Sequence, residues 1–284
     1  MRAFPNPGSL AFIGGGNMAR SLVGALVRAG TPASTIVVAE PNAQLREALA
    51  ADFGVTVQAT NQDAAQAADC VVLAVKPQVL EAVCTELAPL VARTRPLVVS
   101  IAAGMRIAKL ERWLGAGLAI VRAMPNTPAL IGAGATGLHA NAEVDAAQRA
   151  RVQSLFDAAG IAVWIDDESL MDTVTALSGS GPAYFFLLVE ALEEAAVAQG
   201  LARDAARALA AQTCLGAGRM LVEGGEPPAT LRERVTSPGG TTAAALDAFA
   251  AGGLRELAAR ALAAATARGV ELSGVDDPAG TDKR

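Results

Sequence analysis

Two stretches of the chain carry residue types and spacings suited to holding an anion. The first is Gly14-Gly15-Gly16-Asn17-Met18-Ala19, a G-x-G-x-x-A pattern that follows the apolar run Leu10–Ile13 and opens a helical stretch from Met18 to Ala29. At that spacing Gly14 permits a tight turn, Gly16 lets the backbone approach a pyrophosphate, and Ala19 allows close helix–strand packing. The helix N-terminus supplies N–H groups and a positive dipole end. The second is Thr236-Ser237-Pro238-Gly239-Gly240-Thr241-Thr242, which leads into a helix over Ala243 to Ala250. Hydroxyls, two glycines and a helix N-terminus make it an anion cradle. An ordinary Ser or Thr cap does not need Pro-Gly-Gly before it.

The elements around the first stretch are short apolar strands alternating with helices. Ile36 to Ala39, Val71 to Val75, Leu97 to Ile101, a strand from Ile120, Ala135 to Leu138 and Ile161 to Ile165 are the strands, with a helix over Asp145 to Ala158. Continuous apolar runs separated by helices imply a mostly parallel sheet covered on both faces. In such sheets ligands bind at the carboxyl ends of the strands, where Glu40, Val75, Lys76, Pro77, Ala102 and Ala103 all fall. Glu40 ends the second strand, the usual place for an acid that binds ribose hydroxyls and repels a 2′-phosphate, although Asn42 or Arg46 lies near enough in sequence to meet a phosphate. Lys76 is one of three lysines in the chain. Met124-Pro125-Asn126-Thr127-Pro128 is a rigid loop of fixed polar groups. His139, the one histidine, is read as structural.

A different half begins near Leu177. Ser178-Gly179-Ser180-Gly181 is a loop of small residues, Pro182 suits a first helical turn, and Ala183 to Gln199 are helix formers stopped by Gly200. The first two turns are apolar on every side, which predicts burial. Arg203 to Leu221 and one or two turns from Leu231 to Val235 continue the helical pattern, with no convincing strand. The division is therefore 1–172, Rossmann-like α/β, and 173–284, all-helical, with residues 1–8 a frayed lead-in and 272–284 a disordered tail.

Composition narrows the function. The chain has 284 residues, 52% hydrophobic and 18% charged, with a net charge of −5. That size suits two domains with large cores, and the charge argues against nucleic-acid or anionic-membrane surfaces. Three scattered cysteines fit reduced thiols in a cytoplasmic protein, and with one histidine no metal site is expected. The N-terminus has no apolar run long enough for a signal peptide.

Taken in order, Gly14-x-Gly16-x-x-Ala19, Ala74-Val75-Lys76-Pro77, Met124 to Pro128, Leu177-Ser178-Gly179-Ser180-Gly181-Pro182-Ala183-Tyr184 and Val235 to Thr242 resemble the pyrroline-5-carboxylate reductases. The resemblance runs from about residue 10 to 265. It implies reduction of Δ1-pyrroline-5-carboxylate to L-proline with NADPH or NADH, the last step of proline biosynthesis. It also implies a homodimer interlocked through the helical domain, and often a decamer of five dimers. By the same resemblance Gly14, Gly15, Gly16, Asn17, Met18 and Ala19 hold the pyrophosphate. Glu40, Asn61, Val75, Lys76, Pro77, Ala102, Ala103 and Asn126 line the rest of the cofactor site. Ser178, Ser237, Gly239, Gly240, Thr241 and Thr242 lie on the substrate side, as does Glu168, and the Thr242 hydroxyl reaches the imine nitrogen. Glu40 departs from the small polar residues of NADP-preferring members. A β-hydroxyacid dehydrogenase has the same plan but uses a lysine on its interdomain helix, and Ala183 to Gln199 has none. A cofactor-binding regulator without turnover does not require the Ser237 to Thr242 loop.

Overall fold

Residues 8–274 are described by a computed structural model, so the lead-in expected over residues 1–8 lies almost wholly outside the described residues. The chain divides into two compact units. One runs to Ser180 and resumes at Ala265; the other is Gly181–Ala264.

The first unit carries β1 (Leu10–Ile13), β2 (Ile36–Ala39), β3 (Thr56–Gln58), β4 (Cys70–Leu73), β5 (Leu97–Ser100), β6 (Ile120–Met124), β7 (Gly134–Ala140) and β8 (Gly160–Trp164). They form one sheet in the order β3-β2-β1-β4-β5-β6-β7-β8. All neighbours are parallel except β6 and β7. The three-residue edge strand β3 had no apolar run to announce it. Between the strands lie α1 (Asn17–Arg28), α2 (Ala43–Phe53), α3 (Asn61–Ala65), α4 (Pro77–Thr94), α5 (Ile107–Leu114), α6 (Ala146–Asp157) and α7 (Met171–Val174).

Side chains of β1, β4 and β5 are buried throughout, because both faces of the sheet are covered. Leu10 and Phe12 point into one core with Leu22, Val23 and Leu26 of α1 and Val152, Leu155 and Phe156 of α6. Ala11 and Ile13 point into the other, against Leu80, Cys84, Leu87 and Val91 of α4. The buried positions of α4 recur every three or four residues, as an amphipathic helix requires, whereas α1 is buried continuously from Ser21 to Leu26. Each large side chain removed from water contributes roughly 1.5–3 kcal/mol.

The second unit contains α8 (Gly181–Ala198), α9 (Arg203–Glu223), α10 (Pro228–Arg234), α11 (Thr241–Ala251) and the start of α12 (Leu254–Ser273). Helix α8 starts at Gly181, one residue before Pro182. Helices α8 and α9 are tied by Glu193, whose carboxylate takes two bonds from Arg207, at 3.1 and 3.2 Å, and one from Arg203 at 3.3 Å. The Arg207 hydrogen bond holds the Glu193 carboxyl below the usual carboxylate range.

Two expectations are corrected. The first turns of α8 are not buried within the chain: Phe186 is 67% and Leu187 65% exposed. A helix apolar all round calls for cover, but among the described residues α9 covers it only in part. The expected tail also begins too early, since Leu272 and Ser273 complete α12. Ser273 is buried and its carbonyl accepts from Lys109 Nζ at 2.6 Å; residues 275–284 lie outside the described residues.

Candidate nucleotide and anion sites

The sheet order reverses direction between β1 and β4, so the loops after these two strands diverge and leave a crevice at their carboxyl ends. Gly14 follows β1 with φ +101°, and a Cβ there would sit 2.8 Å from the Ala74 carbonyl oxygen, immediately after β4. Only glycine fits that conformation and that approach. Gly16 differs: its backbone is extended and a Cβ would meet nothing within 4 Å. The protein itself therefore sets no steric demand for glycine at 16, and the open space above it suits a ligand. Helix α1 has Gly16 as its N-cap with no side-chain cap and no acid in its first turn. The first N–H groups, on Asn17, Met18 and Ala19, are left for an anion. Helix α4 likewise starts without a side-chain cap, after Lys76, with Pro77 in its first turn. Val75 and Pro77 are partly exposed, Lys76 and Ala103 exposed, and Ala102 buried. These groups fit a dinucleotide.

Three expected cofactor residues are engaged by the protein. Glu40 accepts N–H bonds from Gly15 and Asn42. Asn61 Nδ2 donates to Glu86 Oε2 at 2.9 Å. The Asn126 amide is buried and used at both ends, with Nδ2 donating to the Ser178 carbonyl and Oδ1 accepting from Ala135 N, each at 2.9 Å. Asn126 thus ties the π-helical turn Thr175–Gly179 to the start of β7. The Ser178 hydroxyl donates to the Val174 carbonyl at 3.0 Å.

The second cradle is a turn followed by a helix. The Ser237 carbonyl accepts from Gly240 N at 3.0 Å, and Gly239 between them has φ +69°. Pro at the second position and a positive-φ glycine at the third is the pattern of a type II turn. It delivers the chain to α11, whose N-cap is Gly240, again without a side-chain cap. The loop is therefore not an ordinary Ser or Thr cap; its amides are open. Thr241 and Thr242 are the first two helical residues. Among the described residues no hydrogen bond engages the Thr242 hydroxyl.

Residues 168–272 match the family described as pyrroline-5-carboxylate reductase dimerisation, and residues 9–104 the family described as NADP oxidoreductase, coenzyme F420-dependent. The chain is similar to the pyrroline-5-carboxylate reductase of Pseudomonas aeruginosa, 51% identical over 93% of this chain and 96% of that one. The chain belongs to the pyrroline-5-carboxylate reductase family. Among solved structures, a pyrroline-5-carboxylate reductase from Coxiella burnetii aligns with a TM-score of 0.91 at 44% identity, over 94% of this chain and 99% of that one. The Plasmodium falciparum pyrroline carboxylate reductase, with NADP bound, aligns at 0.83 with 30% identity, over 94% and 99%.

Membership of the reductase family explains the uncovered apolar side chains. Phe185, Phe186, Leu187, Leu188 and Leu192 of α8 and Leu209, Leu215 and Leu221 of α9 are exposed in the single chain, and all lie inside the matched dimerisation region. The chain is built to associate with its own copies. Among the described residues no helix is long and apolar enough to cross a membrane.

One cluster had escaped the sequence reading. Arg122, in the middle of β6, pairs with Asp172 of α7 at 3.1 Å, and both side chains are almost fully buried. Arg106 lies 3.7 Å from the other Asp172 oxygen. Glu168, expected on the substrate side, accepts from Ile107 N at 2.8 Å and from Arg122 at 3.4 Å. Its carboxylate caps α5 and braces β6. The signal was an arginine inside Ile120-Val121-Arg122-Ala123-Met124, because a buried strand charge needs a partner. His139 Nδ1 donates to the Ile165 carbonyl at 2.8 Å. Burial pushes the Cys70 and Cys84 thiols up to about 12, so neither is a nucleophile at neutral pH.

Proposed function

We propose that this chain reduces Δ1-pyrroline-5-carboxylate to L-proline with NADH or NADPH. The observation that carries the reading beyond family membership is the pair of uncapped helix starts, α1 after Gly14–Gly16 and α11 after Ser237–Gly240, each preceded by a positive-φ glycine. The bound dinucleotide supplies the hydride. The amides of α1 hold its pyrophosphate, with Val75, Lys76, Pro77, Ala102 and Ala103 along the crevice. The amides of Thr241, Thr242 and Ala243 fix the substrate carboxylate. The ring C=N carbon gains hydrogen with its electron pair, and the nitrogen keeps or gains a proton. Thr242 hydrogen-bonds that nitrogen and orients the ring. A protonated imine is already electrophilic, so positioning is the protein's main contribution; fixing two reactants lowers a barrier by about 7–11 kcal/mol. Glu168 and Asn126 act on this site as braces, through the groups they hold. Further proposals are a cytoplasmic location and closure of five dimers into a decamer.

NAD(P)H absorbance followed with pyrroline-5-carboxylate, with proline measured as product, tests the reading. Turnover of a hydroxyacid without oxidation by the imine would overturn it. Thr242→Ala is expected to lower kcat/KM for the imine about 10- to 100-fold, as loss of a hydrogen bond to a charged group does, while cofactor affinity stays unchanged. An unaltered kcat/KM removes Thr242 from the mechanism.

A further inference from the structure

The carboxylate at the end of β2 is held from two sides. Glu40 is 8% exposed. Its Oε2 accepts from Gly15 N at 3.0 Å and its Oε1 from Asn42 N at 2.9 Å. A Cβ on Gly15 would come within 2.7 Å of Leu49 Cδ1 and 3.1 Å of Glu40 Cβ, so residue 15 must be small because of what lies under it. The two nearby groups suited to a phosphate are committed to backbone. Asn42 Oδ1 caps α2 by accepting from Leu45 N at 3.1 Å. Arg46 Nη1 donates to the carbonyls of Glu40, at 2.7 Å, and Pro41, at 2.8 Å.

We infer that Glu40 makes this chain selective for NADH over NADPH, and that the same carboxylate braces the glycine loop. The inference rests on the reductase reading above and narrows its cofactor. A carboxylate has about four lone-pair sites. With one backbone bond on each oxygen, acceptor capacity remains for ribose hydroxyls, the usual partners of an acid at this strand end. A 2′-phosphate brings like charge against a carboxylate that cannot swing aside without releasing Gly15. Glu40 is thus a specificity-determining and a positioning residue at once, which a freely rotating surface acid is not.

Fluorescence titration of the full-length protein with NADH and with NADPH, without substrate, tests this. The unaltered protein is expected to bind NADH at least tenfold more tightly. Glu40→Gln removes the charge and leaves one acceptor oxygen, and the ratio should fall to within threefold of unity. Glu40→Asp keeps the charge but is one methylene too short to brace the loop. Both affinities should then weaken while the NADH preference persists. Equal or tighter NADPH binding by the unaltered protein, no binding of either cofactor, or an unchanged ratio in Glu40→Gln would overturn the inference. An NADH preference without imine reduction would leave it standing and remove the reductase reading instead.

Discussion

Gly14 and Gly16 show why one motif needs its glycines for two different reasons. Gly14 is fixed by the protein, through φ +101° and the Ala74 carbonyl, whereas Gly16 meets no protein atom and would be required only by a ligand approaching the backbone. Gly14→Ala therefore strains the loop with or without ligand. The left-handed conformation alone costs a non-glycine residue about 1–2 kcal/mol, and the contact with Ala74 adds to it. The expected outcome is a lower melting temperature together with at least tenfold weaker cofactor binding. For Gly16→Ala, where a Cβ meets nothing, the melting temperature should hold and only cofactor binding should fall. Thermal unfolding alongside cofactor titration separates the two cases.

Between elements, the Arg122–Asp172 pair joins β6 to α7, and Glu168 joins the same arginine to α5. Removing one partner of a buried pair strands the other charge, at a cost of about 3–5 kcal/mol. Asp172→Ala is expected to lower the urea midpoint by that equivalent. Arg122→Met combined with Asp172→Leu, which removes both deeply buried charges and leaves only the part-exposed Arg106 and Glu168 without these partners, should recover much of the loss. If Asp172→Ala unfolds at the original midpoint, the pair does not hold these elements together. Helix α11 rests on a different device. Its turn delivers the chain to a helix start with no capping side chain, so its first amides stay open.

For the molecule as a whole, the apolar exposure of α8 and α9 in one chain is far more than a stable surface carries, and it falls within the matched dimerisation region. Leu188→Asp puts a charge on that face. Size-exclusion chromatography with light scattering should show a smaller species, and reductase activity should drop at least tenfold with it. The first unit has its own two cores and does not depend on this face. Its cofactor binding should survive. A fully active dimer carrying Leu188→Asp would make α8 a mere connector.

Much of this was legible in the sequence, because it depends on local spacing. Apolar runs at strand length gave seven of the eight strands, and the glycine motif and the Pro-Gly-Gly turn gave both helix starts that hold amides free. Those features are set by φ preferences and by which N–H groups a helix start leaves open, and neighbouring residues decide both. Other outcomes needed tertiary structure. The edge strand β3 pairs only because β2 offers it a free edge. Asn126, Glu168 and Glu40 each carry a polar group with a partner 9 to 61 positions away along the chain, although Glu40 also bonds its near neighbour Asn42. Residue type alone could not say whether each faces a ligand or the protein. Burial of α8 was right in kind but not within one chain. Periodicity reports that a face must leave water, while only the folded surface reveals that the described residues of the same chain leave most of it exposed.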